Sequence, residues 1–404
     1  MSGFNQVNGG ITAPQGFSAA GVHAGIKKSG MPDMALVVSD PAATAAGVFT
    51  TNKIQGAPVK LCRERLKNKL ATAIVVNSGN ANACTGLQGA EDAARMARLT
   101  ADAVGTDETT VFVCSTGTIG VPMPMDRIEG GIRAAADALS PDGGDQAARA
   151  IMTTDTVDKQ VAVELSVGGQ TIRLGGMAKG AGMIEPNMAT MLAFLTTDAA
   201  VEPDALQECL ASAVDNSFNR VSVDGDQSCN DTVLLMANGA AGGGPLAPGH
   251  ADWPAFSGAV AHVARRLALE IVADGEGATK LVTVKINGAA TIDDARKAAR
   301  AVANSLLVKT SWYGCDPNWG RVIDAVGYSG ADVREELVDI SYDDFLAVHN
   351  GQVAGDTALA DLERVLRQDR FSVVVDLNLG DGTDTVYTCD CSEEYVRINS
   401  EYTT

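Results

Sequence analysis

The residue best placed to do chemistry in this chain is a threonine at the seam between a pliable loop and an apolar run. Before Thr190, the stretch from Lys179 to Ala189 carries Gly180, Gly182 and Pro186, which disfavour regular structure; after it, Met191 to Leu195 reads as a buried strand. A threonine hydroxyl is a poor nucleophile unless a base removes its proton, and a free α-amine on the same residue can be that base. Its reference pKa of about 7.7–8.0 suits neutral pH. A cut between Ala189 and Thr190 would create nucleophile and base together. The same pattern is also how an ordinary strand begins, so the junction alone leaves both readings open.

Other segments offer complementary groups. The run from Val111 to Gly120 is an apolar strand ending in a Ser/Thr/Gly turn. Such a turn can aim a hydroxyl and a backbone N–H at one point, as a developing oxyanion requires, with Thr116 offering its side chain and Gly117 its amide. A second strand and turn, Val75 to Cys84, is dense in Asn and Gly and is a candidate lining for a polar pocket. Glu276, flanked by Gly275 and Gly277, puts a carboxylate on a loop where it could meet an ammonium group or simply face solvent. The run Cys315 to Arg321 reads as a packed corner. The histidines at 23, 250, 262 and 349 share no metal-ligand spacing, so neither a zinc site nor a histidine-based triad has support.

Composition narrows the classes of function. A net charge of −19 over 404 residues argues against nucleic acid or anionic lipid, either of which needs a basic footprint. No stretch approaches the roughly 18 consecutive apolar residues of a membrane helix. Eight scattered cysteines without a Cys-x-x-Cys pair read as reduced, mostly buried thiols. Met1 to Gly10 has neither a basic region nor an apolar signal core, and the expected location is the cytoplasm.

The elements that must position these groups alternate. Strand-like runs at 34–38, 73–76, 110–114 and 161–167 are interleaved with helical patterns at 89–104 and 126–139, which indicates an α/β unit. In the first helix Ala93, Met96, Ala97, Thr100 and Val104 form one face, with Gly105 as C-cap. Gly168-Gly169 between two alternating runs predicts a hairpin, so the sheet is mixed. Pro203 opens a further helix, and 239–249 is a Gly/Ala/Pro-rich surface loop. Helices at 253–272 and 293–307 and strands at 281–286, 371–379 and 385–389 follow, giving a second lobe from about 280.

Taken together, the motifs resemble those of the ornithine acetyltransferase family of arginine biosynthesis, also called glutamate N-acetyltransferases. The resemblance runs over nearly the whole chain, through residues 21–28, 48–53, 76–83, 115–120, 152–156, 179–192, 217–220, 274–280 and the ending Asn399 to Thr404. It implies self-cleavage between Ala189 and Thr190 into an α segment, 1–189, and a β segment, 190–404. It also implies an oxyanion hole of Thr116 and Gly117, and substrate contacts from Thr153, Lys179, Thr190, Glu276, Asn399 and Thr404. The implied fold is a mixed-sheet α/β sandwich similar to that of self-processing β-peptidyl aminopeptidases, assembled as an α2β2 heterotetramer. The implied reaction moves acetyl from N-acetylornithine to glutamate through an acetyl-threonine, without cofactor or metal. Lys179 is the expected partner of a substrate carboxylate and Glu276 of ornithine's side-chain ammonium. Left open are acetyl-CoA as a second donor and, as an alternative, an amidase or aminopeptidase in which water replaces glutamate. Ser228-Cys229 and Thr118 depart from the family's usual residues.

Overall fold

The structure, a computed structural model, describes residues 3–185 and 191–401. Contacts divide the chain into two units, the first comprising the chain to Asn219 with Asp226–Ile271, the second Arg220–Gly225 with the chain from Val272.

The first unit runs β1 (Phe4–Val7), β2 (Phe17–Val22), β3 (Met34–Phe49), α1 (Ala57–Arg65), β4 (Leu70–Asn77), α2 (Gly86–Val104), β5 (Val111–Ser115), α3 (Met125–Asp137) and α4 (Gly144–Ala150). It continues with β6 (Lys159–Val167), β7 (Gln170–Lys179), β8 (Leu192–Thr197), α5 (Pro203–Asp215), β9 (Thr232–Ala237) and α6 (Trp253–Ala273). Its sheet has the order β1-β6-β7-β8-β9-β3-β4-β5, with β2 added on β3. The pairs β4–β5 and β8–β9 are parallel and the others antiparallel, so the mixed character expected from the hairpin holds. Gly168 and Gly169 both take positive φ, at 57° and 81°, as a two-residue hairpin turn of the primed type requires.

Alternation along the strands makes two cores. Val75, Val111 and Val113 pack with Met96 and Ala97 of α2 and Ile128 and Ile132 of α3. Their neighbours Ile74, Val76, Phe112 and Cys114 point to the opposite face, with Val59 and Cys62 of α1 and Ala147 and Ala148 of α4. The sheet is thus covered on both sides. Strand β3 is far longer than the expected 34–38. Its register to β4 shifts between Val38 and Ala43, after which 44–49 pairs with β9. Pro41 and the small residues around it hide this continuation, because they break the apolar alternation a strand normally shows.

The second unit runs β10 (Leu281–Ala289), α7 (Ile292–Asn304), α8 (Leu306–Tyr313), α9 (Trp319–Gly327), β11 (Asp339–Tyr342), β12 (Phe345–His349), β13 (Gln352–Val353), α10 (Leu359–Leu366), β14 (Arg370–Asp376), β15 (Gly382–Cys389) and α11 (Glu393–Glu401). Its sheet has the order β13-β12-β11-β14-β10-β15. The single helix expected over 293–307 is two. Ser305 is extended, and its side chain accepts the Val308 N–H, capping a new helix. The corner at 315–321 is structural as read: Asn318 caps α9 and Arg321 donates to the Leu307 carbonyl at 2.6 Å. Trp312 is wholly buried and meets Phe371 edge-on at 6.1 Å. Trp312→Ala should destabilise the second unit by about 3–5 kcal/mol, read as a lowered urea midpoint.

Candidate active site

The turn after β5 is built by buried asparagines. Asn77 donates to Ser115 Oγ at 2.7 Å and accepts the Asn80 N–H at 3.1 Å, Asn80 accepts the Asn82 N–H at 2.8 Å, and Asn82 donates to the Gly89 carbonyl at 2.9 Å. These side chains hydrogen-bond one another and the backbone, so of the two readings of the 75–84 segment the structural one, an asparagine-built turn, is what these contacts fit. What it supports is the 115–117 turn. The Thr116 N–H is spent on the Asn77 carbonyl at 3.0 Å, whereas the Thr116 hydroxyl and the Gly117 N–H have no hydrogen-bond partner among the described residues. A hydroxyl and an amide with nothing to donate to, side by side at a strand end, have the composition of an oxyanion hole. Gly117 has φ 125°, and a Cβ there would lie 2.5 Å from the Gly79 carbonyl carbon, so no larger residue fits.

A second cluster gathers charge. Asp155 is buried and saturated: Oδ1 accepts from Lys159 Nζ and the Gly180 N–H, both at 2.7 Å, and Oδ2 from the Thr153 N–H at 2.9 Å. One carboxylate therefore ties Thr153 to the residue following Lys179. Burial opposes its ionisation, but the charges of Lys179 and Lys159 prevail and hold its carboxyl well below the usual range. Lys179 ends β7, is 2% exposed, and acts electrostatically on Asp155, Asp231 and Lys27. Lys27 donates to the carbonyls of Pro32 at 2.8 Å and Met152 at 2.6 Å. Burial, aided by Lys179, pushes its ammonium down to about 8 against the pull of Asp33 and Asp155. Asp33 in turn accepts the Ala24, Ile26 and Lys27 N–H groups and shapes the 21–28 loop. A chain of net charge −19 thus concentrates cations locally, as recognition of a carboxylate demands.

The 115–117 turn meets the start of β8 through two adjacent side chains. Asn230 donates to the carbonyls of Ala81 at 2.5 Å and Ser115 at 2.8 Å. Asp231 accepts the Met191 N–H at 2.8 Å, and Met191 is the residue after Thr190. Sequence reading passed over Asn230, Asp231, Asp155 and Lys27. The available signal was a polar pair directly before the apolar run 232–237, itself unrecognised as a strand.

In the second unit, Asn399 on α11 donates to Glu276 Oε2 at 2.7 Å, joining two of the expected substrate contacts. Gly277, at φ 69°, lies so close to α11 that a Cβ would sit 2.6 Å from the Tyr395 nitrogen. Ala189, Thr190 and Thr404 lie outside the described residues. No group of three or more metal-ligating side chains occurs among the described residues.

Asp155→Asn should cost about 3–5 kcal/mol near neutral pH, because it strips the counter-charge from buried Lys159. A depressed carboxyl contributes stability above its unfolded value of about 3.9 and loses it as pH falls toward the folded value. The gap between wild type and variant should therefore narrow below about pH 4, which denaturant melts at neutral and acid pH check.

Comparison with known proteins places these features in a family context. The ArgJ family model matches residues 18–404. The arginine biosynthesis bifunctional protein ArgJ of Symbiobacterium thermophilum is 54% identical over 399 residues, 98% of this chain and 99% of that protein. The glutamate N-acetyltransferase of Methanocaldococcus jannaschii is 47% identical over 409 residues, 98% of this chain and 99% of that protein. Among solved structures, the arginine biosynthesis bifunctional protein argJ of Bacillus halodurans is 40% identical with a TM-score of 0.50, covering 52% of this chain and 98% of that one.

Proposed function

The chain belongs to the ArgJ family, and from that premise we propose that it is a self-cleaving glutamate N-acetyltransferase of arginine biosynthesis. In the first event Thr190 Oγ attacks the Ala189 carbonyl, the resulting ester is hydrolysed, and Ala189 ends in a carboxylate while Thr190 gains a free α-amine. In turnover that amine takes the hydroxyl proton as Oγ attacks the acetyl carbonyl of N-acetylornithine. The Thr116 hydroxyl and the Gly117 N–H stabilise the oxyanion, ornithine leaves with the proton, and acetyl stays on Thr190. The amine of glutamate then attacks the ester and departs as N-acetylglutamate, in ping-pong order.

The observation that carries this reading is the pair of open donors at Thr116 and Gly117, tied through Asn230 and Asp231 to the residue that follows Thr190. Identity across 98% of the chain to a glutamate N-acetyltransferase supports the substrate assignment. A solved relative matched over 98% of its own length yet covering 52% of this chain is what a chain cut near its middle would give. Thr153, Lys179, Glu276, Asn399 and Thr404 are the substrate contacts of this reading, with Lys179 pairing a carboxylate and Glu276 ornithine's side-chain ammonium. The segments 1–189 and 190–404 stay associated as an α2β2 assembly in the cytoplasm. No cofactor is needed; acetyl-CoA, where used, is a donor substrate.

Thr190→Ala should run as one intact chain on a denaturing gel and make no acetylglutamate; a variant that still splits would remove Thr190 from the nucleophile's role. Thr116→Ala, which removes the hydroxyl donor, should lower kcat by about 100- to 1,000-fold, the usual effect of losing one oxyanion donor. Assays with acetylornithine and with acetyl-CoA as sole donor, glutamate being the acceptor, distinguish one donor from two. Release of free acetate alone from acetylornithine would mark a hydrolase.

A further inference from the structure

The segment from Ile151 to Asp158 joins α4 to β6 and is neither helix nor strand, so no ladder fixes its backbone. Its peptide groups must find other partners. One of them, the unit between Met152 and Thr153, is held at both ends by charged side chains: its carbonyl accepts from Lys27 Nζ at 2.6 Å, and its N–H donates to Asp155 Oδ2 at 2.9 Å. Hydrogen bonds to ionised groups are the strong ones. The Thr153 hydroxyl, by contrast, has no hydrogen-bond partner among the described residues. A clamped backbone under an open side chain is the arrangement that a ligand contact needs.

Lys27 is itself firmly placed. Its N–H donates to Asp33 Oδ2 at 2.8 Å, and its ammonium donates also to the Pro32 carbonyl at 2.8 Å. The loop that carries it lies against the asparagine turn: a Cβ on Gly79 would fall 2.5 Å from Ile26 Cγ2 and 3.1 Å from the Lys27 nitrogen, and the Asp33 carbonyl accepts the Ser78 N–H at 3.0 Å. Gly79 is also the residue against which Gly117 packs. Lys27 therefore sits between the backing of the 115–117 turn and the segment that carries Thr153. We propose that Lys27 is the positioning residue for Thr153, its ammonium gripping the Met152 carbonyl so that the Thr153 hydroxyl is held in place for the substrate. The inference rests on the functional reading above, in which Thr153 is a substrate contact. Lys27 acts on the substrate only through that peptide group. The charged groups facing its ammonium are Asp33 from its own loop, Asp155 from the clamped segment and Lys179 from the end of β7. Burial, aided by Lys179, brings that ammonium down to about 8, so the clamp changes charge within the range in which the enzyme is assayed.

Lys27→Met keeps the aliphatic stem and removes the ammonium. Its KM for acetylornithine should rise about tenfold while kcat stays within about threefold of wild type, because a loosened substrate contact weakens ground state and transition state alike. A merely structural lysine would lower the active fraction, and with it kcat, at unchanged KM. In the wild type, KM should rise severalfold between about pH 7 and pH 9, as the ammonium becomes a neutral and weaker donor. Lys27→Arg, cationic throughout that range, should show no such rise. An unchanged KM in folded Lys27→Met, a flat wild-type KM, or a rise that persists in Lys27→Arg each overturns the assignment. Should neither variant fold, the wild-type profile decides by itself, a rise supporting the clamp and a flat KM overturning it. A wild type that makes no acetylglutamate from acetylornithine and glutamate defeats the functional reading and this inference together. One that makes it while failing any of the three KM tests defeats this inference alone.

Discussion

Two neighbouring side chains, Asn230 and Asp231, hold together what the sheet keeps apart. The 115–117 turn lies at the end of β5, and the strand that follows Thr190 is β8, with β9, β3 and β4 between them in the sheet. In-plane hydrogen bonds link only adjacent strands and cannot bring those two ends to one point. The bend of β3 starts the convergence, and the approach to β9 completes it, because Asn230 grips the Ser115 carbonyl while Asp231 grips Met191. Gly56 is part of the same fitting: a Cβ there would fall 2.0 Å from Asn230 Oδ1. A buried polar network of this kind specifies one arrangement because every misfit leaves an unpaired group.

Buried charge is handled differently within each unit. In the first, the Asp155 carboxylate stands among Lys179, Lys159 and Lys27, an excess of cations around one buried anion. In the second, the Glu276 carboxylate is held by an amide, Asn399.

Elements with strong periodicity were legible in sequence: α2 with its Gly105 cap, the hairpin closed by Gly168-Gly169, and the strand that follows Thr190. The 44–49 half of β3 was not, because small residues after Pro41 carry no alternation and its burial comes from β9, distant in sequence. The turn at Thr116 and Gly117 was visible because a strand ending in a Ser/Thr/Gly run is a local pattern, while its expected role came from the family resemblance. Asp231 could not, since its importance lies in a contact with Met191, forty residues away, and nothing in a lone Asn-Asp pair announces that. In the asparagine turn polarity is spent on holding the backbone, which composition alone does not distinguish from a binding surface.

The order of strands has one more meaning. β8 and β9 come from the chain after Thr190, yet they occupy the middle of the sheet, bordered on one side by β7 and on the other by β3, both from the chain before it. Parting the two segments would mean unzipping two ladders in the heart of a buried sheet. Were the chain cut between Ala189 and Thr190 as proposed, these two ladders alone would still hold the part after the cut to the part before it.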